Sequence, residues 1–292
     1  MRWIENEYLR AGFLDQGAEW RSFQEKVWGQ ELLWQADPAY WGKSAPILFP
    51  IVGSLKDNRY VHQGATYPLG RHGFARESVF QVVEHEKSGI VFRLESSEQT
   101  RKVYPFDWSL EVEYRLSNKV LLTTYRVRNL GQTVMPFSIG AHPAFRVPLH
   151  EDESFEDYRL EFELAETLER HFLNADGVFS GETQILPTVG KILNLSHSLF
   201  DHDAIVLKRP KSARVALRNA KNLLGVSLEY PGFPYLGIWT PPKKAPFVCL
   251  EPWCGVADSV TSTGRIEDKE GINLLEPEAL FKRNFAVTVE GI

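Results

Sequence analysis

The stretch Trp108-Ser-Leu-Glu-Val-Glu-Tyr-Arg-Leu116, then Ser117-Asn118, then Lys119-Val-Leu-Leu-Thr-Thr-Tyr-Arg-Val-Arg128 decides the fold class. Leu110, Val112, Tyr114 and Leu116 alternate with Glu111, Glu113 and Arg115, and this period of two gives an extended chain one apolar and one charged face. The second arm repeats the pattern, with Tyr125 and Val127 set between Thr124, Arg126 and Arg128. A turn-forming pair joins the arms, so the segment reads as an antiparallel hairpin with one buried face.

Outward from this hairpin, further strands are expected at 67–70, 78–84, 90–97, 133–139, 158–164, 203–208, 213–218, 223–229, 236–240, 246–250 and 284–290. Most are short and rich in β-branched or aromatic residues, and turns such as 128–131, Asp176-Gly177 and 230–234 separate them. Only 165–172 and 275–281 read as turns of helix. The pattern predicts an all-β chain of layered antiparallel sheets, a large β-sandwich, and disfavours a doubly wound α/β sheet. No linker, repeat or low-complexity tract divides it, so residues 1–292 are expected to form a single domain, with the acidic stretch 151–157 as a solvated loop.

Composition narrows the function. With 43% hydrophobic and 24% charged residues the chain is an ordinary globular protein. Its longest apolar runs fall far short of the roughly 18 residues a membrane span needs, and the N-terminus MRWIENEYLR does not read as a signal peptide. The expected location is the cytoplasm. Cys249 and Cys254 are not spaced as a redox pair or zinc knuckle, and read as small buried hydrophobes in a reduced compartment. The net charge of −5 comes from interspersed residues, without the concentrated basic patch that nucleic acid requires.

Three segments break the alternation and gather ionisable groups among Gly, Pro and aromatics: 69–76, 138–146 and 248–256. In the second, His142 follows a strand-like run and precedes Pro143, which gives the imidazole a stiff mounting. It can serve as a general acid, or simply satisfy the backbone of a turn. In the third, Glu251 ends a strand; an inward carboxylate there must be hydrogen-bonded or used, as a general base or structurally. In the first, His72 stands beside Arg71 and near Arg76 in a glycine-containing turn, able to orient an oxygen-bearing ligand or merely to build that turn. Asp201, His202 and Asp203 have the composition of metal ligands, but adjacent residues on an extended chain face opposite ways, so a loop carboxylate is preferred and no metal is expected.

These segments, with 45–53 ahead of them, resemble in order and separation the aldose 1-epimerase (galactose mutarotase-like) superfamily, most closely its LacX-like and hexose-6-phosphate-epimerase-like branch. The resemblance implies a supersandwich of the galactose mutarotase type with a sugar in a concave face. It also implies an enzyme without cofactor that interconverts the α and β anomers of an aldohexose. His142 would then be the general acid and Glu251 the general base, with His72, Arg71, Arg76 and Asp203, or less readily Asp201, binding the sugar. Phe145 and Trp253 would line the pocket.

One departure stands out. Relatives often carry an arginine after the glycine of the 45–53 segment, where this chain has Ser54, which weakens a phosphorylated substrate unless Arg76, Arg71 or Lys56 compensates. Two alternatives remain: a non-catalytic sugar-binding or sugar-sensing protein on the same scaffold, and a glycosidase or lyase, which would need a second carboxylate near Glu251. The expected partner is a small sugar, free or phosphorylated, with a monomer as default and a dimer as the alternative.

Overall fold

The computed structural model describes residues 1–292 apart from Glu151, Ala220 and Lys243. Among the described residues the single α-helix is one four-residue turn, Glu98–Arg101, beside a few 3-10 turns, and strands dominate. The chain is all-β, built on the large antiparallel sheets characteristic of the galactose mutarotase fold.

The hairpin lies at the middle of the larger sheet. Trp108–Ser117 pairs with Val120–Asn129 in the register Val112↔Tyr125, and Trp108, Leu110, Val112, Tyr114 and Leu116 are all buried. Leu280–Glu290 adds to its far side and Gly89–Glu95 to its near side, within an antiparallel sheet of nine strands. A second sheet of eight strands has Phe247–Cys254 at its heart, flanked by Tyr235–Trp239 on one side and Ile139–Ala141 with Ala144–Arg146 on the other. Leu110 and Val112 from the first sheet and Ile238, Val248 and Leu250 from the second share one hydrophobic cluster, so the sheets bury their facing sides against each other.

Both helical expectations fail. Glu169–Leu173 is a strand, because Phe179–Ile185 and Ile205–Lys208 supply pairing partners on both sides, and pairing outweighs local propensity. In the other, Leu280 already opens a long strand, and Glu278, at φ 60°, places a tight turn after Pro277. The N-terminal sheet of Arg2–Glu5, Leu9–Phe13 and Trp20–Glu25 escaped the sequence reading, since Gly12 and a register shift beside it spoil the alternation. The acidic segment is a loop as expected, though anchored by the buried ring of Phe155; its first residue, Glu151, lies outside the described residues.

Candidate active site

Every residue of Phe247–Cys254 is buried, but its two faces differ. Val248 and Leu250 enter the inter-sheet core, while Cys249, Glu251 and Trp253 point to the opposite face. The neighbouring pairs Gly140↔Trp253 and Ala144↔Cys249 share one register, which sets His142 opposite Glu251. Pro143 carries that register across the gap by accepting the Leu250 amide at 3.1 Å. His142 Nε2 thus lies 3.1 Å from Glu251 Oε2, with the two side chains 10% and 1% exposed.

Burial dominates their titration. It pushes the His142 imidazole down to about 3, aided by Arg71 and Arg76 and opposed by a contact with its own backbone. It also pushes the Glu251 carboxyl well above the carboxylate range; Arg71 opposes this and Asp203 adds to it. Both shifts favour a neutral imidazole beside a protonated carboxyl over an ion pair.

His72 is held from both sides by Gly53: the His72 amide donates to the Gly53 carbonyl at 2.9 Å, and the Gly53 amide donates to His72 Nδ1 at 3.1 Å. An accepting Nδ1 leaves the hydrogen of the neutral ring on Nε2. Arg71 Nε also lies 3.3 Å from that Nε2, but two donors cannot share a hydrogen bond, so the shorter buried amide contact decides the tautomer. Burial foremost, then Arg71, His142 and Arg76, hold His72 well below the usual histidine range. Gly53 has no substitute here: its φ is +73°, and a Cβ would lie 2.6 Å from that of Ala257.

Around these groups lies a cavity of about 290 Å³, lined also by Arg71, Arg76, Asp203, Trp41, Trp239 and Trp253. Asp203 accepts the Trp239 indole N–H at 3.0 Å and stands 3.9 Å from Arg71 Nη2. The trio His142, Cys249 and Glu251 has its ligand atoms within 4.8 Å of one another, and burial pushes both the thiol and the carboxyl up, towards their protonated forms.

A family model described as aldose 1-epimerase matches residues 2–264. The chain belongs to the aldose 1-epimerase family. It is 36% identical over 294 residues to the plasmid-encoded protein LacX of Lactococcus lactis subsp. lactis, covering 98% of each chain. A galactose mutarotase related enzyme from Lactobacillus acidophilus superposes with a TM-score of 0.94 at 38% identity, covering 98% of this chain and 96% of the other. A galactose mutarotase-like protein from Lactobacillus casei also reaches 0.94, at 34% identity and 99% of both chains. Fold and relationship together mark an epimerase-like enzyme of this superfamily.

Within this aldose 1-epimerase scaffold, His142, Glu251, His72, Arg71, Arg76, Asp203 and Trp253 converge on one cavity. Phe145 does not. Its neighbour Ala144 takes the outer face, so the Phe145 ring turns into the inter-sheet core against Trp20, 6.3 Å between centroids. Asp203 rather than Asp201 lines the cavity. Lys56 is committed elsewhere, its Nζ donating to the Val260 carbonyl at 3.0 Å. Trp41 and Trp239 were missed by the sequence reading: Trp239 lies in the expected strand 236–240 and could have been flagged by alternation with Gly237, whereas Trp41 lies in a stretch with no periodicity.

Proposed function

We propose that this protein is a cofactor-independent aldose 1-epimerase of the LacX-like and hexose-6-phosphate-epimerase-like branch, interconverting the α and β anomers of an aldohexose. The observation that carries this reading is the buried contact between His142 Nε2 and Glu251 Oε2 on the cavity wall, 3.1 Å apart and so matched to the two oxygens of one hemiacetal. Anomer exchange is redox-neutral and requires one base and one acid, which this pair supplies.

Hydroxyls of the entering sugar donate hydrogen bonds to the desolvated Glu251 and favour its carboxylate, its proton passing to His142. Glu251 then takes the proton of the anomeric hydroxyl. The C1–O5 bond breaks as C1=O forms, and His142 donates its proton to O5. Rotation about C1–C2 and reversal of both transfers close the ring on the other face. The Nε2–H of His72 is free to hydrogen-bond an oxygen of the sugar, and the Asp203 carboxylate accepts from its hydroxyls.

Among the residues that line the cavity, the guanidinium groups of Arg71 and Arg76 outnumber the Asp203 carboxylate, with Glu77 outside the lining at 3.9 Å from Arg76 Nε and burial favouring the protonated form of Glu251. A cationic excess in a chain of net charge −5 favours an aldose bearing an anionic group such as a phosphate, even with Ser54 buried in place of the expected arginine. Two free buried cysteines suit a cytoplasmic setting, and one chain supplies the whole site, so a monomer suffices.

Polarimetry on freshly dissolved α-anomers of glucose, galactose and glucose 6-phosphate tests the proposal. The wild type should accelerate mutarotation of at least one, and His142→Ala and Glu251→Gln should each lower kcat by at least about 10²-fold while remaining folded. Turnover that survives either substitution would overturn it.

A further inference from the structure

Trp41 lies on residues 35–44, a segment without a strand in which the sequence shows no motif. Yet its indole is stacked on the imidazole of His142, with ring centroids 4.8 Å apart and planes at 28°. Trp239 meets both rings edge-on at 5.6 Å, and Phe247 stacks against Trp41 at 5.8 Å. The indole is fixed from its backbone as well: the Trp41 carbonyl accepts the Trp34 indole N–H at 2.9 Å, and its amide donates to the Asp37 carbonyl at 2.9 Å. Both walls of the site hold the same segment. Lys43 reaches Glu77 at 3.0 Å, next to Arg76, and the Ser44 carbonyl accepts the Ala144 amide at 2.9 Å, close to His142.

We propose that Trp41 is a positioning residue for the acid–base step, fixing the plane of the His142 imidazole so that Nε2 faces Glu251 and offering a π face that favours the imidazolium. This rests on the proposed anomer exchange, in which His142 must carry the proton. The ionisable groups facing that ring are Glu251 and Cys249 from its partner strand, His72, Arg71 and Arg76 from the 69–76 segment, and Asp203 behind Trp239. Arg71 and Arg76 act against an imidazolium. The indole face acts for it without adding a charge.

Full-length Trp41→Phe and Trp41→Leu separate this role from simple packing. In the wild type the ring current of Trp41 should shift the His142 Cε1–H resonance upfield; Trp41→Phe should keep most of that shift and Trp41→Leu should lose it. Trp41→Leu should lower kcat at least about tenfold with KM changed less than about threefold, and move the His142-dependent limb of the pH profile to lower pH, whereas Trp41→Phe stays within about threefold of wild type. An unmoved His142 resonance in Trp41→Leu, or a change confined to KM, overturns the role of Trp41 while leaving the proposed reaction standing. A wild type that turns over no aldose sinks the reaction and this role with it.

Discussion

Glu251 and His142 pull the stability of the protein in opposite directions along the pH axis. The Glu251 carboxyl is held well above its ordinary value of 4.5, so the folded chain keeps a proton that the unfolded chain releases, and its contribution to stability falls as pH rises above about 4.5. His142, pushed down to about 3 from 6.5, and His72, also depressed, leave the folded chain short of protons that the unfolded chain binds, so their contribution is lost as pH falls below about 6.5. Glu251→Gln keeps the shape and removes only the first effect. Its Tm should exceed that of the wild type by about 2–4 °C at pH 8, with the gap closing towards pH 4.5. A gap of equal size at both pH values in scanning calorimetry would show that Glu251 is ionised in the folded site.

At the scale of elements, the site depends on how one strand presents a tryptophan. The Trp253 indole lies across the sheet over Gly140 and Gly237; a Cβ on the first would come within 2.6 Å of the ring and on the second within 2.5 Å. Gly237 is paired opposite Glu251, so the space that admits the indole also borders the Glu251 carboxyl. Gly237→Ala should therefore tilt Trp253, cost about 1–3 kcal/mol by overpacking and raise KM. In a Trp253→Leu background most of that cost should vanish; a double-mutant cycle in urea that finds the two substitutions additive would refute the contact.

The same strand shows what a sequence can and cannot reveal. Glu251 and His142 were legible because each follows an apolar run and precedes a proline, a local signal. That they meet depends on the shared register Gly140↔Trp253 and Ala144↔Cys249, a non-local fact written in no single segment. Phe145, which the resemblance placed at the pocket, turns away for the same reason: the pairs Ala144↔Cys249 and Phe145↔Val248 send its ring to the core face. Trp41 left no trace, because it is placed by contacts to Trp34, Asp37 and Phe247 rather than by any period.

Across the whole molecule, segments far apart in sequence must hold still relative to one another, and a buried ion pair ties several of them together. Lys269 Nζ meets Asp258 Oδ1 at 3.0 Å, with the side chains 1% and 5% exposed. The other Asp258 oxygen accepts the Lys56 amide at 3.0 Å, its own amide donates to the Ser54 carbonyl at 2.9 Å, and its carbonyl accepts from Phe179 at 2.8 Å. Asp258 thus locks Ala257 against Gly53, the residue that fixes His72, and joins that corner to the edge strand Phe179–Ile185. Lys269→Met would strand a buried carboxylate and should cost about 3–5 kcal/mol in urea unfolding. Adding Asp258→Asn removes the stranded charge but keeps an acceptor for the Lys56 amide, so the double variant should recover all but about 1–2 kcal/mol of that loss. Because the corner carries His72, the single variant should also weaken sugar binding before the chain unfolds. A single variant that loses stability yet binds the sugar as the wild type does would mean that the ion pair holds the fold without holding the site.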